Sequence, residues 1–387
     1  MKGRVGVVLA LVLLATSCRT PQQARRSEAR ISRRTALALL REAALRAGGN
    51  EVWVKGSAEG KFPPPGSART VDVLAEPTAV RPVSGALERE AAHHGLQVKS
   101  SLLRPARGEP IIVIRIEEGR LWETEWRVRE VPRLLRVAII IDDLGANEQA
   151  AHELVALPYP LTFSVLPRLR YSVETADIAF RARREVMLHL PMQPIPRPGI
   201  RGSPEEIRVG MSARVVERLV ESDLEAVPHI RGVDNHQGSL ATSDPVLMAD
   251  VMRVLAGRHL YFVDSRTIGS SVAWEAARKA GVPAAFRSVF LDDRQSVPYT
   301  LGQLRELEKV VERQGVAIAI GHPHPTTILA LKEFLPRLAE ADVQLVPVSY
   351  LFRLPETSRL YPPRPVRPSM GRRRASPHSA AGDRGKR

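Results

Sequence analysis

The stretch VAIIIDDLGAN, residues 137 to 147, places two adjacent carboxylates, Asp142 and Asp143, directly after an unbroken aliphatic run. A run without polar alternation is typical of a strand that is buried on both faces of a parallel sheet. The two carboxylates repel each other, and the aliphatic run offers neither of them a partner. They are expected either to bind a cation or to lie at the N-terminus of the helix that begins near Asn147.

Aliphatic runs of the same kind recur from residue 136 to residue 352 and alternate with stretches of helical spacing. The runs are RVAIII, LTFSVL, EVMLHL, LYFVD, VAIAI and VQLVPV, with HIRGVDN and FRSVFLD as less obvious members. The helical stretches are residues 147–156, 171–184, 212–224, 244–257, 270–280, 300–314 and 326–340. Seven or eight such units favour a (β/α) barrel of parallel strands over an open sheet, which stays open as an alternative.

Polar side chains follow most of these predicted strands. In parallel α/β folds the carboxyl ends of the strands carry the chemistry, so these side chains are expected to converge there. They are Asp142 and Asp143, His189, His236, Asp264, Asp292 and Asp293, and His322. Three of the ten histidines fall at this rim. Imidazole and carboxylate together are typical of a hydrolytic divalent-metal site.

The segments IIIDDLG, EVMLHLPMQP, GVDNHQGS, FVDSRT, FLDD and AIGHPHPTT follow one another in this order between residues 134 and 352. In order and spacing they resemble the divergent polysaccharide deacetylase family, a branch of the polysaccharide deacetylase superfamily. The resemblance implies a distorted (β/α) barrel of about seven parallel strands. It also implies a catalytic divalent metal, usually zinc, and hydrolysis of an N- or O-acetyl group on a glycan.

The resemblance also implies roles for individual residues. Asp142 is expected to be the catalytic base and Asp143 a metal ligand. His189 matches a metal-binding histidine of the superfamily, although a buried core histidine is the alternative. His322 matches the histidine that acts as the general acid.

One departure from the superfamily pattern concerns the third metal ligand. The superfamily has a second histidine shortly after the first, but here HLPMQP supplies Met192, Gln193 and Pro194. His236, in NHQGS at the end of the fourth predicted strand, is the best replacement, because it is a neutral donor at the same rim. A hydrogen-bonding role for His236 is the alternative.

Three further rim residues, Asp264, Arg266 and Asn235, are expected to support the site from behind the ligands or to contact the substrate. Asp264 is expected to be the carboxylate that orients His322. Asp264 and Arg266 could instead pair with each other as a scaffold under the site.

Two other groups receive weaker interpretations. Asp292 and Asp293 are expected to have a structural or supporting role. His324 is expected to be exposed, because it directly precedes a proline.

The N-terminus resembles a bacterial export signal. Lys2 and Arg4 precede the apolar run VGVVLALVLLA, and LLATSC contains Cys18, the only cysteine of the chain. Residues 1–18 are therefore interpreted as a signal peptide with a lipobox, and an ordinary signal peptide with an incidental cysteine is the alternative. The prediction is export to the cell envelope or periplasm with a lipid anchor on Cys18. Apart from Cys18 the chain has no thiol for disulfides or thiolate metal ligands.

A polar tether (19–30) and a small α+β domain (31–131) are predicted between the anchor and the barrel. Two helices, SRRTALALLREAALRAGG and SGALEREAAHHGL, and the strand EVWVKG are expected there, with KFPPPGS as a loop. PIIVIRIEEGRLWETEWRVRE predicts a hairpin that turns at Glu118 and Gly119. No spacing in this region is catalytic, so it is interpreted as a spacer or interaction domain.

The C-terminal segment, residues 353–387, is rich in Pro and Arg, and its last part concentrates charge. From Arg364 onward eight Lys or Arg stand against one Asp, a net +7 out of +15 for the whole chain. So few large apolar groups predict a disordered tail. Its expected partners are anionic envelope polymers or lipid headgroups, and a solvated tail without a partner is the alternative. No nucleic acid is expected for an exported chain.

Two functions from different classes follow from these observations. The first is a metal-dependent hydrolase that removes acetyl groups from an envelope polysaccharide or amino-sugar glycan. The alternative is a non-catalytic glycan-binding or envelope-organising lipoprotein on a deacetylase-like barrel. The missing second histidine, the N-terminal domain and the basic tail motivate the alternative.

Overall fold

The computed structural model describes residues 31–55, 70–106, 108–119, 121–198 and 205–353. The predicted signal peptide and tether, the KFPPPGS loop and the basic tail beyond residue 353 lie outside these residues. The described chain forms two sheets, each with its own hydrophobic cluster. Within the described ranges, every helix is too short or too polar to cross a membrane.

The N-terminal α+β region contains two helices and a five-stranded sheet of order β1-β2-β5-β4-β3. Its elements are α1 (Arg33–Gly48), β1 (Val52–Val54), β2 (Thr70–Ala75), α2 (Val80–His93), β3 (Gln97–Leu103), β4 (Ile111–Glu118) and β5 (Trp122–Glu130). The predicted hairpin is confirmed, because β4 and β5 pair antiparallel around Gly119, which has a φ of 53°. Leu40, Leu87, Ile114 and Trp126 are buried between the sheet and the helices.

The second sheet has nine strands, and every strand pair in it is parallel. The strands are β6 (Leu135–Leu144), β7 (Thr162–Val165), β8 (Glu185–Met192), β9 (Ile230–Gln237), β10 (Tyr261–Asp264), β11 (Ala284–Phe286), β12 (Val289–Phe290), β13 (Val316–Gly321) and β14 (Val343–Leu345). The alternating helices are α3 (Glu148–Val155), α4 (Ser172–Arg181), α5 (Ala213–Ala226), α6 (Pro245–Gly257), α7 (Ala273–Lys279), α8 (Val297–Gln314), α9 (Pro325–Glu340) and α10 (Val348–Leu351). The seven predicted helical stretches are confirmed to within a few residues at each end.

The sheet order is β11-β10-β9-β8-β7-β6-β13-β12, with β14 added beside β6. Its two edges, β11 and β12, are neighbours in sequence. The backbone N–H of Arg287 donates to the Asp264 carbonyl at 3.0 Å, and that of Ser288 donates to the Ile318 carbonyl at 2.8 Å. One chain segment therefore bonds to β10 with its first half and to β13 with its second half, which curls the sheet into the predicted distorted barrel.

The aliphatic run of β6 is buried on both faces. Ile139 and Ile141 pack into the cluster between strands and helices, whereas Ala138 and Ile140 pack into a separate cluster inside the barrel. Successive strand residues point to opposite faces, so a strand covered on both sides needs apolar side chains at every position. This explains the absence of alternation in VAIII.

Polar contacts join the N-terminal region to the end of the barrel that lies opposite the rim. Asp342 bonds to Lys55 Nζ and to Arg129 Nη2, both at 2.5 Å. The buried Arg136 side chain donates to the Asn50 carbonyl, and Glu76 accepts the backbone N–H of Leu134 at 3.0 Å.

Candidate metal and catalytic centre

The rim residues continue strand positions that face the barrel interior. Side chains two positions apart on a strand share a face. Ile140 is followed by Asp142, Met187 by His189, and Ile320 by His322. Because the strands are parallel, the three polar side chains arrive at the same end of the barrel.

Asp143 departs from this alternation. The register of β6 against β7 shifts between Ile141 and Leu144, and Asp143 has a φ of 56°, in the left-handed region. This backbone turn brings a second, adjacent carboxylate into the same cavity. The helix-capping interpretation of the pair is wrong, because Asn147 is the N-cap of α3 and accepts the Gln149 N–H at 2.8 Å.

Asp143, His189 and His236 form a compact group of three, called here the ligand triad. Asp143 Oδ1 lies 3.2 Å from His189 Nε2 and 2.9 Å from His236 Nδ1. The two histidine nitrogens lie 3.1 Å apart. Around a tetrahedral zinc ion with bonds of about 2.0 Å, neighbouring donor atoms are about 3.3 Å apart. The triad therefore fits a divalent cation at its centre.

The bonding of Asp143 also agrees with a cation site. Its Oδ1 atom is buried, and no hydrogen bond of normal geometry reaches it from the described residues. A buried oxygen without such a bond is costly unless another positive group satisfies it. The alternative that His189 is only a core histidine is not favoured, since its Nε2 atom faces this oxygen.

Asp234 fixes the orientation of His189. Asp234 Oδ1 lies 2.8 Å from His189 Nδ1 and accepts a hydrogen bond from Ser164 Oγ at 2.5 Å. A Nδ1–H held by a carboxylate leaves the Nε2 lone pair free for a metal, as in many metal sites. Asp234 is absent from the residues predicted above, although its position two residues before His236 places both on one face of β9.

Burial and charge shift the pKa values in this centre. Burial raises the pKa of Asp142 well above its usual value, and the nearby Asp234 carboxylate adds to the effect. Burial acts in the same direction on Asp143, but His189 and His236 outweigh it and hold the pKa of Asp143 well below its usual range. Burial would lower the pKa of His189, but Asp142 and Asp234 outweigh it and raise that pKa. The carboxylates therefore favour positive charge at the triad, as a bound cation would supply.

His322 is oriented by Asp292 and not by Asp264, so the predicted partner is wrong. Asp292 Oδ1 lies 2.9 Å from His322 Nδ1, and Asp292 Oδ2 accepts the His322 backbone N–H at 2.6 Å. The reason is strand order: Asp292 follows β12, which pairs with β13, whereas Asp264 ends β10 on the other side of the closing segment. Burial would raise the pKa of Asp292, but the bonds from His322 outweigh it and lower that pKa.

Asp264 and Arg266 do not pair through their side chains. The Asp264 carboxylate accepts the Arg266 backbone N–H at 2.8 Å and the Ser271 hydroxyl at 2.7 Å. The Arg266 guanidinium instead lies over the Phe286 ring, 5.1 Å from its centroid. Asn235 supports the same loop, because its Oδ1 accepts the Ser265 N–H at 2.9 Å.

A second group of possible ligands, Asp292, His322 and His324, is less suited to a metal. Both oxygens of Asp292 are already occupied by His322, and Oδ2 also accepts the Thr327 hydroxyl at 2.7 Å. His324 is partly buried, contrary to the prediction of exposure, and its Nε2 lies 3.2 Å from Gln295 Nε2.

The centre opens into a cavity of about 460 Å³. The triad, Asp142 and His322 line this cavity, together with Asn235, Gln237, Ser265, Arg266, Thr267, Arg287, Phe290 and Asp293. A buried carboxylate lies beside the triad, with Asp142 Oδ2 3.8 Å from His189 Nε2. An imidazole also lies beside it, with His322 Nε2 3.8 Å from Asp143 Oδ2. Such a set of groups is suited to hydrolysis assisted by a cation.

Comparisons with known proteins identify relatives of this chain. The Escherichia coli K12 protein YibQ, described as uncharacterized, is 35% identical over 237 residues, which cover 61% of this chain and 73% of YibQ. An uncharacterized protein of Haemophilus influenzae is 36% identical over 230 residues, which cover 59% of this chain and 80% of that protein.

The crystal structure of the uncharacterized protein ATU2773 from Agrobacterium tumefaciens C58 shares the fold. The TM-score is 0.54 at 24% identity, over 57% of this chain and 89% of that one. A family model described as divergent polysaccharide deacetylase matches residues 139–352, more than half of the sequence. The chain therefore belongs to the divergent polysaccharide deacetylase family.

Proposed function

We propose that this protein is an exported, metal-dependent hydrolase that removes acetyl groups from an envelope polysaccharide or amino-sugar glycan. Family membership supports the class of reaction. The observation that carries the proposal is the ligand triad, whose three donor atoms lie within 3.2 Å of one another. Asp142 and His322 line the same cavity.

Asp143, His189 and His236 would hold the cation. Zinc is proposed because two imidazoles and one carboxylate are ligands that catalytic zinc uses in hydrolases. When bound, a divalent cation lowers the pKa of water and polarises a carbonyl oxygen.

Asp142 is proposed as the base that takes a proton from the attacking water. Asp142 as a residue is 3% exposed, and its Oδ1 atom accepts no hydrogen bond from the described residues. Burial raises the pKa of Asp142, which makes the ionised carboxylate a stronger base. A cation held by the ligand triad would place a positive charge beside this carboxylate.

His322 is proposed as the acid that protonates the departing amine or hydroxyl. The carboxylate of Asp292 fixes its Nδ1 atom, so Nε2 faces the cavity. A general acid needs its proton on the nitrogen that faces the leaving group, and in His322 that nitrogen is Nε2.

The structure gives less support to the non-catalytic alternative than the sequence did. It was suggested by the missing second histidine of the superfamily pattern, and the distances of His236 Nδ1 to Asp143 Oδ1 (2.9 Å) and to His189 Nε2 (3.1 Å) support His236 as the proposed replacement. A binding protein without turnover needs neither a base nor an oriented acid beside the triad. Acetyl hydrolysis is therefore the function that the geometry supports best.

Export and anchoring are further parts of the proposal. The apolar run and Cys18 in residues 1–18 support transport to the envelope with a lipid anchor on Cys18. The basic residues after Arg364 would contact anionic envelope polymers or lipid headgroups. Replacing Cys18 by Ala should move the protein from the membrane fraction to the soluble fraction of a bacterial lysate.

The decisive experiment measures bound metal and acetate release for the purified mature protein and for Asp142→Asn. Chitooligosaccharides and peptidoglycan fragments serve as substrates, and His152→Ala, on the exposed face of α3, is the control. The proposal expects one metal per chain, acetate release by the parent and the control, and loss of acetate release with retained metal in Asp142→Asn. Metal without turnover on any of these substrates would favour the binding protein, and absence of metal would contradict the triad.

A further inference from the structure

Two arginines line the same cavity as the triad. Arg266 and Arg287 are partly buried, and among the described residues neither guanidinium forms an ion pair with a carboxylate. The carboxylates of Asp142, Asp264 and Asp293 lie close enough to Arg287 to attract its charge, and Asp264 also attracts Arg266. Among the described residues none of them pairs with the Arg266 guanidinium, which therefore stays able to bind an anionic ligand.

The Arg287 side chain donates hydrogen bonds to backbone carbonyls of the neighbouring loop, so Arg287 positions that loop. Its Nε donates to the Ser265 carbonyl at 2.7 Å and its Nη2 donates to the Arg266 carbonyl at 3.0 Å. The guanidinium also lies over the Phe290 ring, 4.8 Å from its centroid. These contacts fix the loop that carries Arg266.

Other bonds fix the same loop, residues 264–267. Asn235 accepts the Ser265 N–H, Asp264 accepts the Arg266 N–H, and Thr267 Oγ1 donates to the Gln237 carbonyl at 2.8 Å. Arg266 has a φ of 48°, a left-handed conformation that is costly for a residue other than glycine. Such a conformation persists only where the surroundings determine it, and it is concentrated at functional sites.

The loop thus presents the Arg266 side chain to the cavity. Its guanidinium lies over Phe286, and no hydrogen bond from the guanidinium to the described residues is seen. A guanidinium that is oriented by a ring and has free N–H groups matches the paired oxygens of a carboxylate or phosphate. A neutral acetylated sugar would offer this cation only hydroxyl and amide oxygens, which bind a guanidinium more weakly than a carboxylate or phosphate does.

We propose that the substrate sugar carries an anionic group close to its acetyl group, and that Arg266 binds this group. The substrate class is an acetylated amino sugar that bears a carboxylate or a phosphate. The inference rests on the proposed function for the position of the acetyl group. Arg266 determines specificity, and Arg287 and Asn235 hold it in place.

The test is binding, measured by calorimetry with metal-loaded Asp142→Asn protein, so that turnover does not interfere. One ligand is a chitin tetramer, which is neutral. The second is a tetrasaccharide of alternating N-acetylglucosamine and N-acetylmuramic acid, which adds lactyl carboxylates. The third is N-acetylglucosamine 6-phosphate, and its neutral counterpart is N-acetylglucosamine. The affinity for the carboxylate tetrasaccharide or for the phosphate sugar should be higher than that for its neutral counterpart by at least about tenfold.

Arg266→Asn, added to this protein, should abolish the preference for the charged ligand, and asparagine is chosen because it tolerates a positive φ. Arg266→Lys should retain only part of the preference for the charged ligand, since an ammonium lacks the paired N–H groups. The matched control is Arg278→Asn, because Arg278 is exposed on α7 and lies over the Trp274 ring at 5.0 Å, outside the cavity. Thermal unfolding should be the same in the parent and in both Asn variants.

Equal affinity of the parent for the charged and neutral ligands would overturn the inference. A preference that survives Arg266→Asn would also overturn it. Acetate release by the active protein tests the proposed function separately. Release of acetate from chitin oligomers, with equal affinities for all ligands, would keep the function and remove the role of Arg266.

Discussion

The Nε2 atom of His189 and the Nδ1 atom of His236 lie 3.1 Å apart, although 47 residues separate them in sequence. Because Asp234 holds the Nδ1–H of His189, the Nε2 of its neutral form is an acceptor. Two acceptor nitrogens at this distance, with Asp143 Oδ1 beside both, repel one another unless a proton or a cation lies between them. A divalent cation satisfies all three atoms at once.

Removal of His236 tests the triad. His236→Ala should weaken zinc affinity by more than about 100-fold, because the loss of a direct ligand costs more than the loss of an outer hydrogen bond. Competition with a chromophoric chelator measures the affinity, and His152→Ala is the control. Affinity equal to that of the parent would show that His236 is not a ligand.

Removal of the charge on Asp234 tests the support of His189. Asp234→Asn should lower zinc affinity by about 10- to 100-fold, because an amide holds the Nδ1–H tautomer of His189 less firmly than a carboxylate does. The matched control is Asp250→Asn, because Asp250 is a partly buried carboxylate of α6 that pairs with Arg253 and does not line the cavity. If both Asn variants bind zinc alike, the Asp234–His189 contact has no part in metal binding.

Asp292→Asn should separate catalysis from metal binding. We expect acetate release to fall by about 100-fold or more while zinc affinity stays unchanged, because Asp292 orients the proposed acid and not a ligand. Asp264→Asn should affect zinc affinity little, since that carboxylate bonds to its own loop. A large loss of zinc from Asp292→Asn would favour the alternative cluster of Asp292, His322 and His324.

The contact between the two regions should depend on pH. Burial would raise the pKa of Asp342, but Lys55 and Arg129 outweigh it and lower that pKa. A carboxyl with a lowered folded pKa stabilises the fold above its unfolded pKa of about 3.9, and this stabilisation is lost as the pH falls further.

Asp342→Asn should therefore reduce the free energy of unfolding at pH 7 by up to about 1 kcal/mol, because the residue is partly exposed. The difference from the parent should shrink below about pH 4. Urea unfolding at several pH values measures it, and Asn tolerates the φ of 61° at this position. A difference that persists unchanged at pH 3 would show that the ion pairs are not its cause.

The barrel could be predicted because its strands are buried on both faces and its helices are regular. β2 and β3 of the N-terminal sheet could not be predicted from the sequence. In β3 the reason is that an edge strand with mostly exposed side chains shows no alternation of apolar and polar residues. The strand ends predicted that Asp142, Asp143, His189, His236 and His322 converge, and the structure brings them together at one cavity.

The supporting residues depend on information that a single sequence lacks. Whether Asp264 or Asp292 neighbours His322 is decided by the order of strands in the sheet and by the bent segment that closes it. The left-handed backbone at Asp143 is likewise set by the register of β6 against β7. Once His236 is placed at the rim, the rule that side chains two positions apart on a strand share a face also predicts Asp234 there.

Anomalous X-ray diffraction at the zinc edge, on crystals of the zinc-loaded protein, tests the central claim most directly. We expect one strong peak at bonding distance, about 2.0–2.2 Å, from Asp143 Oδ1, His189 Nε2 and His236 Nδ1 together. A peak at Asp292, His322 and His324 instead, or the absence of a peak shared by the three triad side chains, would contradict the proposed metal site.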